Sequence, residues 1–479
     1  MSVLLTLALA SLGLLSPQGS APAAGQDPAP GAKAALLAPA EQEGLRTKLI
    51  KYLDAEERWQ GASGLKNREK ASKAREKAKD EFEKDWAKLE KKGDLLGSMA
   101  DMYAIFQNCF VIEKPTAGLG QLRAEKLKED GTEYSFWLPK TYVPEKPHRT
   151  VVVLPGTTAA NAVGTWTKPA DYFAATWDKT NLVNSAIVQV CQIPAGLELD
   201  PVPDFSREGA AAEEDRRNKT VFTAFGHLMG GCNVERNAVF LDCGRGSCGY
   251  GLRFLSMFPD RFAGIVLREP VAVDDIRLGS LHGKPVLMLK TAANAAAVDA
   301  LKTRLEGITP GSVTVLDTTD DYPHKGSAGD IETWMTKQKR DMTPNKVVIE
   351  PNHDLFKRAY WVNIDRADPL QGLPADARPR IEVEADRASN RIVVKARGIE
   401  SFALFLNDDI VDLSKEFTVV VNDKAVVEKR VRSFRDMRER MVTRRDWEYL
   451  FPVTYATQVP KAADAEPATK GDKKDADKK

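Results

Sequence analysis

Hydrophobic and polar positions divide the chain into three regions of different periodicity. Between residues 41 and 113, apolar residues recur every three or four positions on a background rich in Lys and Glu, which predicts amphipathic helices. From 117 to 340, short apolar runs alternate with stretches long enough for helices. From 345 to 460, strand-like segments follow one another with few helices between them. The pattern therefore predicts a helical extension, an α/β region and a β-rich module.

The α/β region is expected to hold a mostly parallel sheet with helices on both faces. A hairpin of residues 120–128 and 134–138 precedes the buried strands. The continuous apolar runs that predict those strands are 150–154, 185–190, 238–242, 263–267, 285–289 and 312–316.

The β-rich module is expected to be a small sandwich packed on the α/β region. Its alternating apolar and polar segments are 346–350, 358–365, 380–384, 391–396, 402–406 and 416–421. A helix at 430–446 is expected before a last strand within 449–459.

The two ends of the chain have a different composition. Twelve mostly apolar residues, 4–15, precede small residues at 21–23, which favours a signal peptide at 1–24 and export to the periplasm or the medium. The apolar run is shorter than the about 20 residues that span a bilayer. Residues 25–40 resemble a linker, and the Lys/Asp/Ala-rich tail at 461–479 predicts disorder.

Charge and cysteine content exclude several functions. Lys plus Arg (69) nearly cancels Asp plus Glu (68), which argues against general affinity for nucleic acid or anionic membranes. The five cysteines show no CxxC spacing, so neither a thiolate zinc site nor any other metal or cofactor is expected.

Residues 238–251, AVFLDCGRGSCGYG, carry the strongest chemical signal. An apolar strand stops in a glycine-rich turn, and a helical segment, 252–258, follows. Strand, sharp turn and helix form the context of a nucleophile elbow, in which one side chain is lifted above the sheet.

Two registers of this elbow are open. If Gly244 opens the Gly-x-Ser-x-Gly motif, the nucleophile position falls on Gly246, which has no side chain. If Ser247 is the nucleophile, Gly249 fits two residues later, but Arg245 stands where a small residue belongs.

The order of elements over residues 117–340 resembles the α/β-hydrolase superfamily, and in particular secreted bacterial esterases and polyester-depolymerase-like hydrolases. The segments 258–264, FPDRFAG, and 322–324, YPH, add to the likeness. The resemblance implies an α/β-hydrolase-type sheet and acyl chemistry with nucleophile, acid and histidine in that chain order.

The resemblance assigns roles to individual residues. Ser247 would attack, and His324, after the last strand of the α/β region, would act as base. Cys248 is an alternative thiol nucleophile, although Tyr250 then occupies a glycine position. Backbone N–H groups form the expected oxyanion hole, at Gly156, Thr157 and Cys248.

The acid is the weakest member of the set. The family usually has Asp where this chain has Asn294. An amide cannot stabilise imidazolium as a carboxylate does, and the same change in the trypsin-type triad costs ~10⁴-fold in turnover. Asp320 or Asp321 could supply the acid instead.

These residues leave two functions open. The first is an exported serine hydrolase acting on small or polymeric carboxylic esters or similar acyl bonds. The second is a catalytically inactive pseudo-hydrolase that binds a ligand or serves a structural role. The N-terminal helices could pack on the next region or associate with a second copy of the chain.

A first prediction concerns export. If residues 1–24 are a signal peptide, protein from the native host should begin near Ala24 or Gly25 and lie outside the cytoplasm. N-terminal sequencing checks this, and protein that still carries residues 1–20 would contradict it.

Overall fold

The computed structural model describes residues 34–460, apart from 113–117, 128–130, 157–167, 195, 201, 203–208, 272–275, 371–372 and 375. The expected signal peptide, most of the expected linker and the C-terminal tail lie outside the described residues.

Three helices begin the described chain: α1 (Pro39–Gly61), α2 (Leu65–Leu89) and α3 (Met99–Phe106). Their apolar side chains form one cluster with Met437 and Met441 of a helix near the other end of the sequence. The apolar stripe predicted for this region is therefore buried within the same chain. None of the helices in the described part is both long and apolar enough to cross a membrane.

The α/β region contains an eight-stranded sheet. Its strands are β1 (Leu122–Lys126), β2 (Glu133–Trp137), β3 (His148–Leu154), β4 (Ile187–Cys191), β5 (Val234–Cys243), β6 (Gly264–Arg268), β7 (Val286–Lys290) and β8 (Val313–Asp317). They lie in the order β1-β2-β4-β3-β5-β6-β7-β8. The β1–β2 hairpin and the β2–β4 pair are antiparallel, and the other neighbours are parallel. This confirms the predicted fold class.

The described part of this region has five α-helices that connect and flank the strands: α4 (Pro169–Thr176), α5 (Ala210–Gly231), α6 (Cys248–Met257), α7 (Ala295–Glu306) and α8 (Ala328–Thr336). Two separate apolar clusters form, one against each face of the sheet. The central strands are apolar on both faces because both faces are covered.

The β-rich module consists of two sheets around one core. Its elements are β9 (Lys346–Ile349), β10 (Arg358–Ala359), β11 (Val362–Ala367), β12 (Arg380–Asp386), β13 (Arg391–Arg397), β14 (Ile399–Leu406), β15 (Phe417–Val421), β16 (Lys424–Glu428), α9 (Phe434–Arg444) and β17 (Val453–Gln458). One sheet has the order β10-β11-β14-β17 and the other β16-β15-β13-β12-β9. Strand β16 and the division of 358–365 between β10 and β11 were not predicted.

A buried charge cluster joins the α/β region to the end of the chain. Asp446 is fully buried and accepts hydrogen bonds from Arg340 at 2.6 and 3.0 Å. The side chains of Arg261 and Arg236 also face this carboxylate, and Arg236 lies over the Trp447 ring. Burial alone would raise the pKa of Asp446, but the three arginines hold it well below its usual range.

We predict that Asp446→Asn lowers the free energy of unfolding by about 3–5 kcal/mol at pH 7, because it leaves buried arginines without their carboxylate. The folded-state pKa lies below the unfolded value of about 3.9, so this stabilisation is present above that value. It is lost as the pH falls through the folded-state pKa.

Chemical denaturation between pH 7 and pH 2 measures both effects. Asp365→Asn, at an exposed position of β11, is the matched control and should change little. Equal unfolding free energies for the Asp446→Asn variant and the parent would contradict a stabilising role of the Asp446 carboxylate.

Candidate functional site

The turn between β5 and α6 has a glycine at its apex. Gly246 adopts a φ of 77°, a conformation that side chains other than glycine rarely take. A Cβ on Gly244 would lie closer than 3.0 Å to the hydroxyl oxygens of Tyr322 and Tyr172, so only glycine fits there. This geometry favours the register in which Gly244 opens the motif and the nucleophile position falls on Gly246.

Ser247, one residue past the apex, faces the interior. Its Oγ lies 2.8 Å from the carbonyl oxygens of both Leu154 and Gly244, and the residue is fully buried. Its single proton can serve either carbonyl. No hydrogen bond joins Ser247 to His324 in the described part of the chain.

The other expected nucleophile and the oxyanion residues lie close to the turn. The Cys248 thiol contacts the carbonyl oxygens of Cys243 and Gly244 at 3.3 Å, and burial raises its pKa well above the ordinary value. A buried neutral thiol is a poor nucleophile. The Cys248 N–H belongs to the first turn of α6, where backbone donors have no partner within the helix.

Gly156 packs directly against the elbow. A Cβ there would come closer than 3.0 Å to the carbonyl oxygen of Arg245 and to the Tyr322 hydroxyl. The loop after β3 therefore reaches the place expected for an oxyanion donor. Thr157, the other donor expected from this loop, lies outside the described residues.

His324 is buried and has a φ of 64°. Its Nδ1 lies 2.9 Å from the carbonyl oxygen of Asp320, which can only accept, so Nδ1 carries the proton. Burial lowers the pKa of His324, and the charges of Arg268 and Arg245 lower it further against the opposing effect of the Asp320 carbonyl. The ring is therefore neutral near pH 7, with a lone pair on Nε2.

None of the expected acids directs its side chain to His324. The Oδ1 of Asn294 accepts from Thr291 N at 2.7 Å and its Nδ2 donates to the Leu289 carbonyl, so it closes its own loop. The Asp320 carboxylate accepts from Ser327 Oγ at 3.2 Å and acts on His324 only through its charge, which raises the histidine pKa, and Asp321 is exposed, with its carbonyl accepting from His324 N at 2.8 Å.

A different carboxylate, Glu269, lies beside the histidine. It directly follows β6, has a φ of 54°, and places Oε1 3.3 Å from His324 Nε2 without hydrogen-bonding geometry. It also forms an ion pair with Arg245, whose guanidinium lies 4.7 Å from the centre of the Tyr322 ring. Sequence reasoning missed Glu269, although its position at the carboxyl end of a parallel strand could have indicated it.

A buried ion pair between Asp242 and Arg268 packs beneath the elbow and the His324 loop. Asp242 Oδ1 and Arg268 Nε lie 2.7 Å apart, and both side chains are fully buried. Trp177 Nε1 donates to Asp242 Oδ2 at 2.8 Å, and Arg268 Nη1 donates to the carbonyl oxygen of Pro323. The pair therefore fixes the His324 loop relative to the elbow. No group of three or more potential metal ligands occurs among the residues that the structure describes.

Comparison with known proteins found similar chains among solved structures. No known family matches the chain. No curated protein matches it significantly either. Among solved structures, a thermostable esterase is 18% identical with a TM-score of 0.34, covering 46% of this chain and 63% of its own. The chain thus spans less than two thirds of that esterase.

Two further solved structures cover a similar share of the chain. An S-formylglutathione hydrolase from Agrobacterium tumefaciens is 11% identical with a TM-score of 0.34, covering 47% of this chain and 98% of its own. A ferulic acid esterase from Anaeromyces mucronatus, in complex with ferulic acid, is 11% identical with a TM-score of 0.31, and the match covers 47% of this chain and 93% of the esterase. These neighbours are esterases and hydrolases of the α/β-hydrolase superfamily, and at such identities and scores they say nothing about the activity of this chain.

We predict that the His324 ring stays neutral as the pH falls through about 6.5, where an unfolded histidine titrates. Because its folded-state pKa is lowered, the unfolded chain binds the proton more readily, and this residue makes stability fall as the pH drops below that value. Histidine NMR titration of the parent against a His324→Gln variant identifies the resonance. A midpoint at or above the value found in urea would contradict the prediction.

Proposed function

We propose that the protein is a non-hydrolytic binding protein with an α/β-hydrolase-type fold, acting outside the cytoplasm. Its elbow cleft would hold an ester-like or acyl ligand, small or polymeric, without cleaving it. One observation carries the proposal: the Glu269 carboxylate lies 3.3 Å from His324 Nε2. A serine mechanism requires the nucleophile's hydroxyl at about 2.6–3.2 Å from that same nitrogen.

The elbow supports the same conclusion independently. Gly246 supplies no side chain at the apex, and Ser247 is held by two backbone carbonyls. Removing a nucleophile or a base from a triad leaves only the catalysis of the oxyanion hole and of binding. The groups that bind an acyl ligand can therefore persist where the reacting groups are absent.

The cleft still offers groups that could recognise a ligand. The Arg245 side chain is about a quarter exposed (23%) and is oriented by Glu269 and by the Tyr322 ring. The Cys248 N–H, in the first turn of α6, is a second donor beside the turn, whereas the Tyr250 N–H already donates to Asp200. A ligand with a carbonyl oxygen would match these donors.

The alternative is the serine hydrolase expected from the sequence, with Ser247 as nucleophile and His324 as base. Its favouring observation is that Ser247 directly precedes α6 and that His324 follows the last strand of the sheet. It requires the Ser247 hydroxyl to leave both carbonyls and Glu269 to move away from Nε2.

We predict that the parent protein does not react with a fluorophosphonate probe and that Ser247→Ala changes nothing, since no activated hydroxyl faces His324. The double variant Gly246→Ser, Glu269→Ala places a hydroxyl at the apex and removes the competing carboxylate. It should therefore gain labelling that the parent lacks. In-gel fluorescence measures all three proteins under one condition.

Binding is measured separately, by equilibrium titration of 4-nitrophenyl butyrate with the ester quantified at the end. Saturable binding of intact ester, weakened by Arg245→Ala, is expected. Labelling of the parent that disappears in Ser247→Ala, or hydrolysis lost with His324→Ala, would overturn the proposal in favour of the hydrolase. Absence of any saturable ester binding would refute the ligand class.

A further inference from the structure

A cavity of about 930 Å³ lies between the α/β region and the β-rich module. Its size falls within the range of about 300–1,000 Å³ that is usual for small-molecule sites. Its walls include residues 276–282, just before β7, and 307–310, just before β8. The amino ends of these parallel strands lie at the sheet edge opposite the elbow, so this cavity is distinct from the cleft of the proposed function.

The lining of this cavity carries an excess of positive charge. Among its described lining residues the only carboxylate is Glu350. The cationic lining residues are Arg253, Arg277, Arg304, Lys346, Arg378 and Arg380.

Some of these cations are neutralised by carboxylates of the module. Arg380 pairs with Glu350 and with Glu382, each at 2.9 Å. Lys346 pairs with Glu382 at 2.7 Å. Glu350 and Glu382 are therefore already paired with cations of the module.

Arg277 is held by backbone carbonyl groups and not by a carboxylate. Its two terminal nitrogens donate to the backbone carbonyls of Pro351 at 3.0 Å and Pro379 at 2.9 Å, so it bridges the α/β region and the module. Burial lowers the pKa of its guanidinium, Glu350 offsets this only in part, and the charge of Arg378 lowers it further. Its partners are carbonyl dipoles, which carry no net charge.

Arg378 is the second cation of this kind. Its Nε donates to the carbonyl oxygen of Leu373 at 3.0 Å, and within the described chain it forms no ion pair. Two guanidinium groups that lack their own carboxylate therefore face a concave space. A concave surface of one sign focuses its field and raises the local concentration of counter-ions.

We propose that this cavity binds a small organic polyanion with at least two carboxylate or phosphate groups. Arg277 and Arg378 would each pair with one group, because the planar guanidinium matches the oxygens of both chemistries. His282 adds a polar group, since its Nδ1 bonds to the Ile308 carbonyl and so leaves Nε2 as an acceptor for a ligand hydroxyl.

Isothermal titration of the full chain with citrate and with fructose 1,6-bisphosphate tests the proposal and separates carboxylate from phosphate. One saturable site per chain is expected for at least one of them, weakened by added NaCl, and acetate should bind far more weakly. Arg378→Gln should reduce affinity about tenfold, as expected for the loss of one charge-assisted contact. Arg391→Gln, at an exposed position of β13 outside the cavity, is the matched control and should bind as the parent does.

Arg277→Lys keeps the charge but loses the two-carbonyl bridge, and it should weaken binding while the chain stays folded by circular dichroism. Absence of saturable binding to both probes would overturn the proposal. So would equal losses in Arg378→Gln and Arg391→Gln, or binding confined to a long polyanion such as heparin. Each of these outcomes leaves the proposed function of the elbow cleft unaffected, because its probes and variants are different.

Discussion

The geometry around the elbow depends on the buried ion pair between Asp242 and Arg268. Both charges are removed from water, which costs several kcal/mol per ion, so the pair is stable only because its remaining hydrogen-bonding groups are largely engaged. Trp177 donates a hydrogen bond to the Asp242 carboxylate, and the Pro323 carbonyl accepts one from the Arg268 guanidinium. Burial lowers the pKa of Arg268, but Asp242, Tyr172 and Tyr322 together outweigh burial and raise the pKa above its ordinary value.

This pair connects four segments that are distant in sequence. Asp242 lies one residue before the end of β5, and Arg268 ends β6, so the pair places the turn at Gly246 beside Glu269. The contact with Pro323 positions the neighbouring His324. The ion pair between Asp242 and Arg268 therefore contributes to the relative placement of the glycine apex, the Glu269 carboxylate and the His324 imidazole, in addition to the contacts around the turn itself.

Much of the fold could be predicted because the buried strands of the sheet are also continuous apolar runs in the sequence. The run at 150–154 is β3 with two more residues, since every residue from Thr150 onward is buried on both faces. Strand β16 was missed because all but one of its residues are exposed, including Val426 and Val427, so its pairing with β15 leaves no period-two burial pattern to detect.

The site was less predictable because its meaning depends on backbone geometry. The sequence left the elbow in two registers, and the φ of Gly246 favours one of them. His324 could be located from its place after the last strand. Glu269 also directly follows a parallel strand, but the motif expectation pointed instead to Asn294, and only the structure shows the closeness of Glu269 to His324.

The packing requirements of an elbow and its chemistry are separable in this protein. Gly156 and Gly244 leave no room for a Cβ because the Tyr322 hydroxyl and the turn itself approach so closely. The same hydroxyl accepts from Arg245 N at 2.9 Å and thereby holds the turn. These constraints act whether or not a nucleophile stands at the apex, because they arise from strand, turn and helix meeting in a small volume. A chain can therefore keep the shape of such a turn with a glycine at its apex.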